Sequence, residues 1–294
     1  MTLADYITGR QQIVDAALHR CVPGEDEQPA NLHKAMRYSL FAGGKRVRPI
    51  LCMAAAAAVS GDTDGVAEAA SVLELIHTYS LIHDDLPALD NDDLRRGRPT
   101  CHKVFGEAMA ILAGDALLTL SFQVLAQLKG VDPVRKVRLI EELAAASGSV
   151  RGMIAGQVHD IEGEGQKPTV ELLDSIHTAK TGALLRASVR MGAIYAGADQ
   201  EQLRALSCFG KHVGLAFQIV DDILDVEQSS EALGKTAGKD ARQQKITFPA
   251  VYGIAESRRM AERERLLAHR ALESFGDRAQ RLGEIAGLVV HRQA

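Results

Sequence analysis

Residues 84–93 read Asp-Asp-Leu-Pro-Ala-Leu-Asp-Asn-Asp-Asp, five carboxylates in ten positions, and this run sits at the end of an apolar stretch. Upstream, residues 69–83 place Val72, Leu75, Ile76 and Tyr79 at helical spacing. Pro87 cannot donate to the carbonyl of His83, so the helix must break or bulge where the carboxylates begin. On an undistorted helix Asp84 and Asp90 would lie about 120° apart around the axis. A bulge would bring Asp90 back beside Asp84. Carboxylates crowded in this way repel one another unless a hard cation sits among them. An all-oxygen set favours magnesium. The other reading of a lone charge run is a solvated acidic loop. Against it stand the apolar helix, the abrupt change to Arg95, Arg96 and Arg98, and a second acidic cluster, Asp221-Asp222-Ile223-Leu224-Asp225, also on an apolar helix. A calcium loop fails on position: counted from Asp90, the sixth place is Arg95 instead of glycine and the twelfth is Cys101 instead of glutamate.

Helical periodicity dominates the remaining chain, and no long alternating segment argues for a sheet. Helices are expected over 3–19, 32–40, 49–60, 69–83, 107–128, 134–163, 184–195, 203–226 and 248–269, with a further start at Thr169. The alanine-rich 49–60 helix would let neighbours approach closely. Within 134–163, Gly152, Gly156 and Asp160 recur at four-residue steps, leaving one face nearly bare beside a carboxylate. No repeat or linker interrupts the pattern, so 1–294 reads as a single all-α domain, its helices arranged around a central cavity. With 46% hydrophobic residues and no Trp, the core must be aliphatic. A net charge of −4 gives no general attraction to nucleic acid or to anionic membranes. Four widely spaced cysteines fit a reducing, cytoplasmic setting. The longest uninterrupted apolar run, 51–59, is far shorter than the roughly 20 residues of a membrane span, so none is expected.

In the second cluster Asp221 and Asp225 share a helix face, and Gln218 lies three residues before Asp221. Two such clusters facing each other across a cavity would form a two-sided magnesium clamp. Magnesium takes few carboxylates and is completed by waters and phosphates, so a diphosphate is the natural guest. The cations suit that guest. Gly43-Gly44-Lys45-Arg46-Val47-Arg48 is a small-residue turn with three of them, and Arg95-Arg96, Lys180-Thr181-Gly182, Lys235 and Lys245 supply more. Singly, each reads equally as a surface charge. His77, seven residues before Asp84, shares its helical face and reads either as a cavity residue or as a packed histidine.

These motifs resemble those of the trans-prenyltransferases. Residues 76–97, from Ile76-His77 through Asp84-Asp85 to Arg95-Arg96-Gly97, are similar to the family's first aspartate-rich motif, and Phe217-Gln218-Ile219-Val220-Asp221-Asp222-Ile223-Leu224-Asp225 to its second. Gly43 to Pro49, Lys180-Thr181-Gly182 and Gly234-Lys235 match in the same order, so the likeness spans roughly residues 30 to 255. The two extra residues between the first aspartates resemble bacterial farnesyl diphosphate synthases. The end, Leu288 to Ala294, is less like the family's basic tail.

The resemblance implies an all-α isoprenoid synthase that joins isopentenyl diphosphate head to tail onto an allylic diphosphate, giving mainly farnesyl diphosphate. It implies three magnesium ions held by Asp84, Asp90 and Asp221, with Asp85, Asp222 and Asp225 in direct or water-mediated support. Arg95, Lys180 and Lys235 would grip the allylic diphosphate, with Lys245 as a further cation. Lys45, Arg48, His77 and Arg96 would hold isopentenyl diphosphate. Thr181 and Gln218 would face the allylic cation. From spacing rather than from the resemblance, Tyr79, about 7.5 Å down the helix from Asp84 with the small Ser80 beside it, would either set chain length or simply pack in the core; the resemblance implies a homodimer. Synthases of shorter or longer products, a terpene cyclase and a non-catalytic synthase subunit are the alternatives.

Overall fold

The computed structural model describes residues 1–61, 63, 65–227 and 246–292. The described residues are helical almost throughout, in two compact units that alternate along the chain: Met1–Ile50 with Asp64–Ile140, and Leu51–Thr63 with Glu141–Ala294.

The first unit is organised on α4 (Val66–Asp84), whose apolar residues surround the helix, so almost every side is buried, from Val66 to Ile82. It packs against α1 (Leu3–Cys21), α2 (Ala30–Leu40) and α6 (Glu107–Gln127). A capping box starts α1: the Thr2 hydroxyl accepts from the Asp5 amide at 3.1 Å, and the Asp5 carboxylate accepts from the Thr2 amide at 3.1 Å. The short helix α5 (Cys101–Phe105) precedes α6. Before it comes the one paired strand segment among the described residues, β1 (Leu94–Arg95) antiparallel to β2 (Arg98–Pro99). The two-residue turn, Arg96-Gly97, has φ of 53° and 73°, the pattern of a type I′ hairpin. Helical periodicity does not signal so short a hairpin.

The alanine-rich α3 (Val47–Ser60) and α7 (Pro133–Ser147) each run from one unit's residues into the other's. The second unit is built on α11 (Gln200–Glu227), packed against α10 (Ala183–Ala196), α13 (Ile254–Ala271) and α14 (Gln280–His291). Close packing on the alanine helix is realised here: Gly192 of α10 lies so near α3 that a β-carbon there would come within 3.1 Å of Ala55 Cβ. The stretch 134–163 is not one helix. It stops at Ser147 and restarts as α8 (Met153–Gly163), with Arg151 between at φ 59°. After α9 (Val170–His177), Thr178–Gly182 form a π-helical turn, a feature that apolar periodicity cannot reveal. α12 (Phe248–Tyr252) and a 3₁₀ turn (Glu273–Ala279) complete the described elements.

Among the described residues one helix, α6, is long and apolar enough to cross a membrane by length and composition, although single polar residues interrupt its apolar runs. Only 33% of its most apolar stretch is buried, leaving Ile111 and Leu112 exposed.

Candidate active site

The break at Pro87 brings distant carboxylates together. α4 ends at Asp84, and the chain then folds back on it. The Asp90 amide donates to the Asp84 carbonyl at 2.8 Å, and the Asp92 amide to the Asp85 carbonyl at 3.2 Å. Asp84 and Asp90 are left half-buried, while Asp85 is buried at 3% exposure. Asp85 is taken up by Arg95, whose Nε donates to its Oδ1 at 3.0 Å and whose second guanidinium nitrogen pairs with the same oxygen. Arg95 also reaches Asp92 at 3.3 Å. Burial raises the Asp85 pKa, and the Arg95 contact opposes that shift.

The neighbouring arginine goes elsewhere. At the positive-φ corner of the hairpin, Arg96 turns its guanidinium to the Gly43 carbonyl, against the glycine turn that precedes Lys45. A β-carbon on Gly44 would sit 2.8 Å from the tip of that flexible side chain, which can give way, so it is the φ of 135° that calls for glycine. Lys45 is exposed and its carbonyl accepts from Gln11 at 3.2 Å. His77 is half-buried; desolvation, then the charges of Arg48, Arg96, Arg95 and Arg46, push its pKa well down, so the ring is neutral. The three cations of the 43–48 turn are not equivalent. Arg46 faces inward and is 4% exposed, so it cannot touch a substrate.

Tyr79 is 5% exposed and meets His83 edge-on with ring centroids 5.8 Å apart. Its hydroxyl is buried without a hydrogen-bond partner. Ser80 is half-buried and donates to the His77 carbonyl at 2.8 Å.

In the second unit, the two aspartates of the Asp221-Asp222 pair also diverge. Asp221 is exposed and pairs with Arg292, whose guanidinium also donates to the Phe217 carbonyl at 3.1 Å and lies 4.0 Å from the Phe217 ring centroid. Asp222 is buried. It accepts from the Phe248 amide at 2.9 Å and from Gln218 Nε2 at 2.7 Å, and it lies 3.5 Å from His177. A carboxylate only accepts, so the Gln218 NH₂ must face it, leaving the amide oxygen free to point elsewhere. Gln218 therefore works with Asp222, not with the Asp221 side of the helix. Asp225 is 4% exposed although it shares helical register with Asp221. Burial pushes the His177 pKa down to about 4, and its ring stacks on Phe248 at 5.2 Å.

Lys180 sits in the π-helical turn, and its Nζ pairs with Asp160 of α8 at 2.5 Å. The bare helix face explains how. Gly156 lies so close that a β-carbon there would fall 2.7 Å from Lys180 Cβ, and nearer still to its backbone. Thr181 follows in the same turn, half-buried. Asp160, His177 and Arg292 are neighbours of the motifs that the sequence reading left out of the site. Only Asp160 carried a signal, the four-residue spacing from Gly152 and Gly156. Lys235 and Lys245 lie outside the described residues, as do Gln293 and Ala294.

Residues 29–281 match the polyprenyl synthetase family. The chain belongs to that family. It is 50% identical over 257 residues to the farnesyl diphosphate synthase of Geobacillus stearothermophilus, covering 87% of this chain and 86% of that protein. It is 49% identical over 295 residues to heterodimeric geranylgeranyl pyrophosphate synthase large subunit 1, chloroplastic, of Arabidopsis thaliana, covering 98% and 79%. Among solved structures, geranylgeranyl pyrophosphate synthetase from Pyrococcus horikoshii superposes with a TM-score of 0.90 at 32% identity, covering 99% of this chain and 98% of that one. A farnesyl-diphosphate synthase structure, described as putative, from Marinomonas gives 0.84 at 40% identity, covering 99% of each.

This polyprenyl synthetase is therefore an all-α trans-prenyltransferase of isoprenoid biosynthesis, elongating prenyl chains from isoprenoid diphosphates. The family uses a divalent metal, and the donor set fits one. Among the described residues no three His, Cys, Asp or Glu side chains close into a complete metal site. The first motif instead offers the half-buried carboxylates of Asp84 and Asp90, and the second the exposed Asp221. All-oxygen donors of this kind suit a cation completed by water and substrate phosphate.

Proposed function

We propose that this polyprenyl synthetase condenses isopentenyl diphosphate with dimethylallyl and then geranyl diphosphate, releasing diphosphate and stopping mainly at the fifteen-carbon product. The observation that carries two distinct diphosphate subsites is the divergence of Arg95 and Arg96. Arg95 joins Asp85 and Asp92 of the first acidic motif, whereas Arg96 joins the Gly43–Arg48 turn. A terpene cyclase has no use for the second cationic set.

On this reading Arg95, Lys180 and Lys235 grip the allylic diphosphate, with Lys245 nearby, and Lys45, Arg48, His77 and Arg96 hold isopentenyl diphosphate. Asp84, Asp90 and Asp221 hold magnesium, three ions with substrate bound, and Asp225 supports them. Asp85 and Asp222 act from behind, through Arg95 and Gln218. Magnesium, when bound, neutralises charge on the leaving diphosphate. The allylic C–O bond breaks with its electron pair on the diphosphate. The isopentenyl double bond then supplies the electrons for the new C–C bond. Thr181 and the Gln218 amide oxygen turn negative dipoles toward the cationic carbon. The final proton passes to the released diphosphate, since no protein base stands out.

The exposed apolar face of α6 supports a homodimer in which a second copy covers it, and light scattering tests this. Four unpaired cysteines, two of them buried, suit a reducing compartment such as the cytoplasm. Steady-state kinetics test the subsites. Arg96→Gln should weaken isopentenyl diphosphate and Arg95→Gln the allylic partner, each by the ~1.5–3 kcal/mol of a charge-assisted contact. Equal effects on both Michaelis constants from either change refute the assignment. Chromatography of dephosphorylated products with starters of increasing length reads the chain length.

A further inference from the structure

Arg46 is a cation that the substrate-binding roles leave unused, and its surroundings are unusually complete. Its Nε donates to Asp15 of α1 at 2.9 Å, one terminal nitrogen to Glu74 of α4 at 2.8 Å, and the other to the Leu40 carbonyl at the end of α2 at 2.9 Å. The side chains of Arg46 and Glu74 are each 3% exposed, whereas that of Asp15 is 44% exposed. Burial would lower the Arg46 pKa, but Glu74 and Asp15 more than offset that and hold it above its usual value. The residue adopts φ 50°, a conformation that a side chain of this size keeps only when its surroundings over-determine it. Gly43 and Gly44 just before it also have positive φ, 93° and 135°. The backbone from Gly43 to Arg46 thus follows an unusual path with three positive-φ residues, and one inward guanidinium bolts it to three helices.

On either side of Arg46 stand Lys45, exposed, and Arg48, half-buried. Glu74, which receives the bolt, lies one turn before His77 on the same helix. We propose that Arg46 is a positioning residue that registers Lys45 and Arg48 against His77 through its buried contacts with Glu74, Asp15 and Leu40, so that the three groups converge on one substrate diphosphate. Arg46 itself touches no substrate. The inference rests on the reading of Lys45 and Arg48 as the grip on isopentenyl diphosphate.

The test separates registration from mere scaffolding. Removing one member of a buried ion pair strands the other, whereas replacing both with apolar groups is often neutral for stability. Arg46→Met should therefore lower the melting temperature, and Arg46→Met/Glu74→Leu should regain much of it, since Asp15 is left to water. Registration is not regained in the double variant. Both variants should raise KM for isopentenyl diphosphate about tenfold or more, the scale of losing a charge-assisted contact. The allylic KM and the kcat at saturation should stay close to wild type, the pattern of lost substrate binding. Arg46→Lys, which keeps the charge but not the three-way fork, should fall between. If the double variant recovers melting temperature and isopentenyl KM together, Arg46 is only a scaffold. An unchanged isopentenyl KM in Arg46→Met or Arg46→Lys also overturns the proposal. Lys45→Ala and Arg48→Ala are measured alongside. Should neither raise the isopentenyl KM while the Arg46 variants do, the subsite assignment has failed, and the registration of Lys45 and Arg48 falls with it.

Discussion

Gly156→Ala should damage the allylic side of the site without removing a single functional group. The added β-carbon would lie 2.7 Å from Lys180 Cβ and closer to the Lys180 backbone, and real β-carbons essentially never approach other heavy atoms within 3.0 Å. Relief requires α8 and the π-helical turn to part by several tenths of an ångström, toward about 1 Å at the backbone, at an overpacking cost of ~1–3 kcal/mol. The turn cannot simply retreat. On its other side Gly182 is in contact with α11, where a β-carbon on Gly214 would already be 3.1 Å from Gly182 Cα. Lys180 must therefore shift relative to Asp160, its 2.5 Å partner. A misplacement of this order costs up to about 10²-fold in rate. The melting temperature should fall by roughly 2–4 °C per kcal/mol, the scale for a large domain. Calorimetry and kinetics against each substrate separate the effects, with the loss expected against the allylic substrate. Gly152→Ala is the control. Its β-carbon would strike the Ala145 and Gly148 carbonyls, at 2.5 and 2.6 Å, so it should lower stability with a smaller effect on the allylic KM. Wild-type melting and kinetics in Gly156→Ala would refute the reasoning.

Asp84→Ala or Asp221→Ala should lower turnover by about a hundredfold or more, the scale of losing a major electrostatic stabiliser. Full activity in excess EDTA, or in both variants while folded, would contradict the metal reading. Tyr79→Phe removes a buried hydroxyl that has no partner, so it should keep or slightly raise the melting temperature. Tyr79→Ala should move product toward twenty carbons or longer, and an unchanged profile from a folded, active variant excludes Tyr79 as the floor. Arg292→Ala frees Asp221 from its counter-charge. Manganese binding followed by electron paramagnetic resonance should then tighten by about 1.4- to 5-fold, the worth of ~0.2–1 kcal/mol for a partly exposed pair; unchanged binding would show that Arg292 does not compete.

The helix break at the first acidic motif and the all-α class were legible in sequence because they rest on local rules. A proline among carboxylates must end a helix, and the Asp90 amide duly bonds back to the Asp84 carbonyl at 2.8 Å. Helical period and the lack of alternation were enough for the all-α class. The Gly152, Gly156 and Asp160 spacing announced a bare face beside a charge, though not what would lie on it. Which partner each member of an adjacent pair meets was decided only by tertiary structure. Asp84 and Asp85, Asp221 and Asp222, Arg95 and Arg96, Lys45 and Arg46 are chemically alike and one residue apart. The two members of each pair nevertheless meet different surroundings: Asp221 pairs with Arg292 and Asp222 is buried, Arg95 joins Asp85 and Arg96 the Gly43 carbonyl, and Lys45 is exposed where Arg46 is buried. Asp222 is held by Phe248 and Arg46 by Glu74 and Asp15. Sequence records the type of a charged group and its helical phase, but its free energy depends on which opposite charge or amide reaches it in the low dielectric of the interior. That partner arrives through packing of remote segments, so no local pattern encodes it.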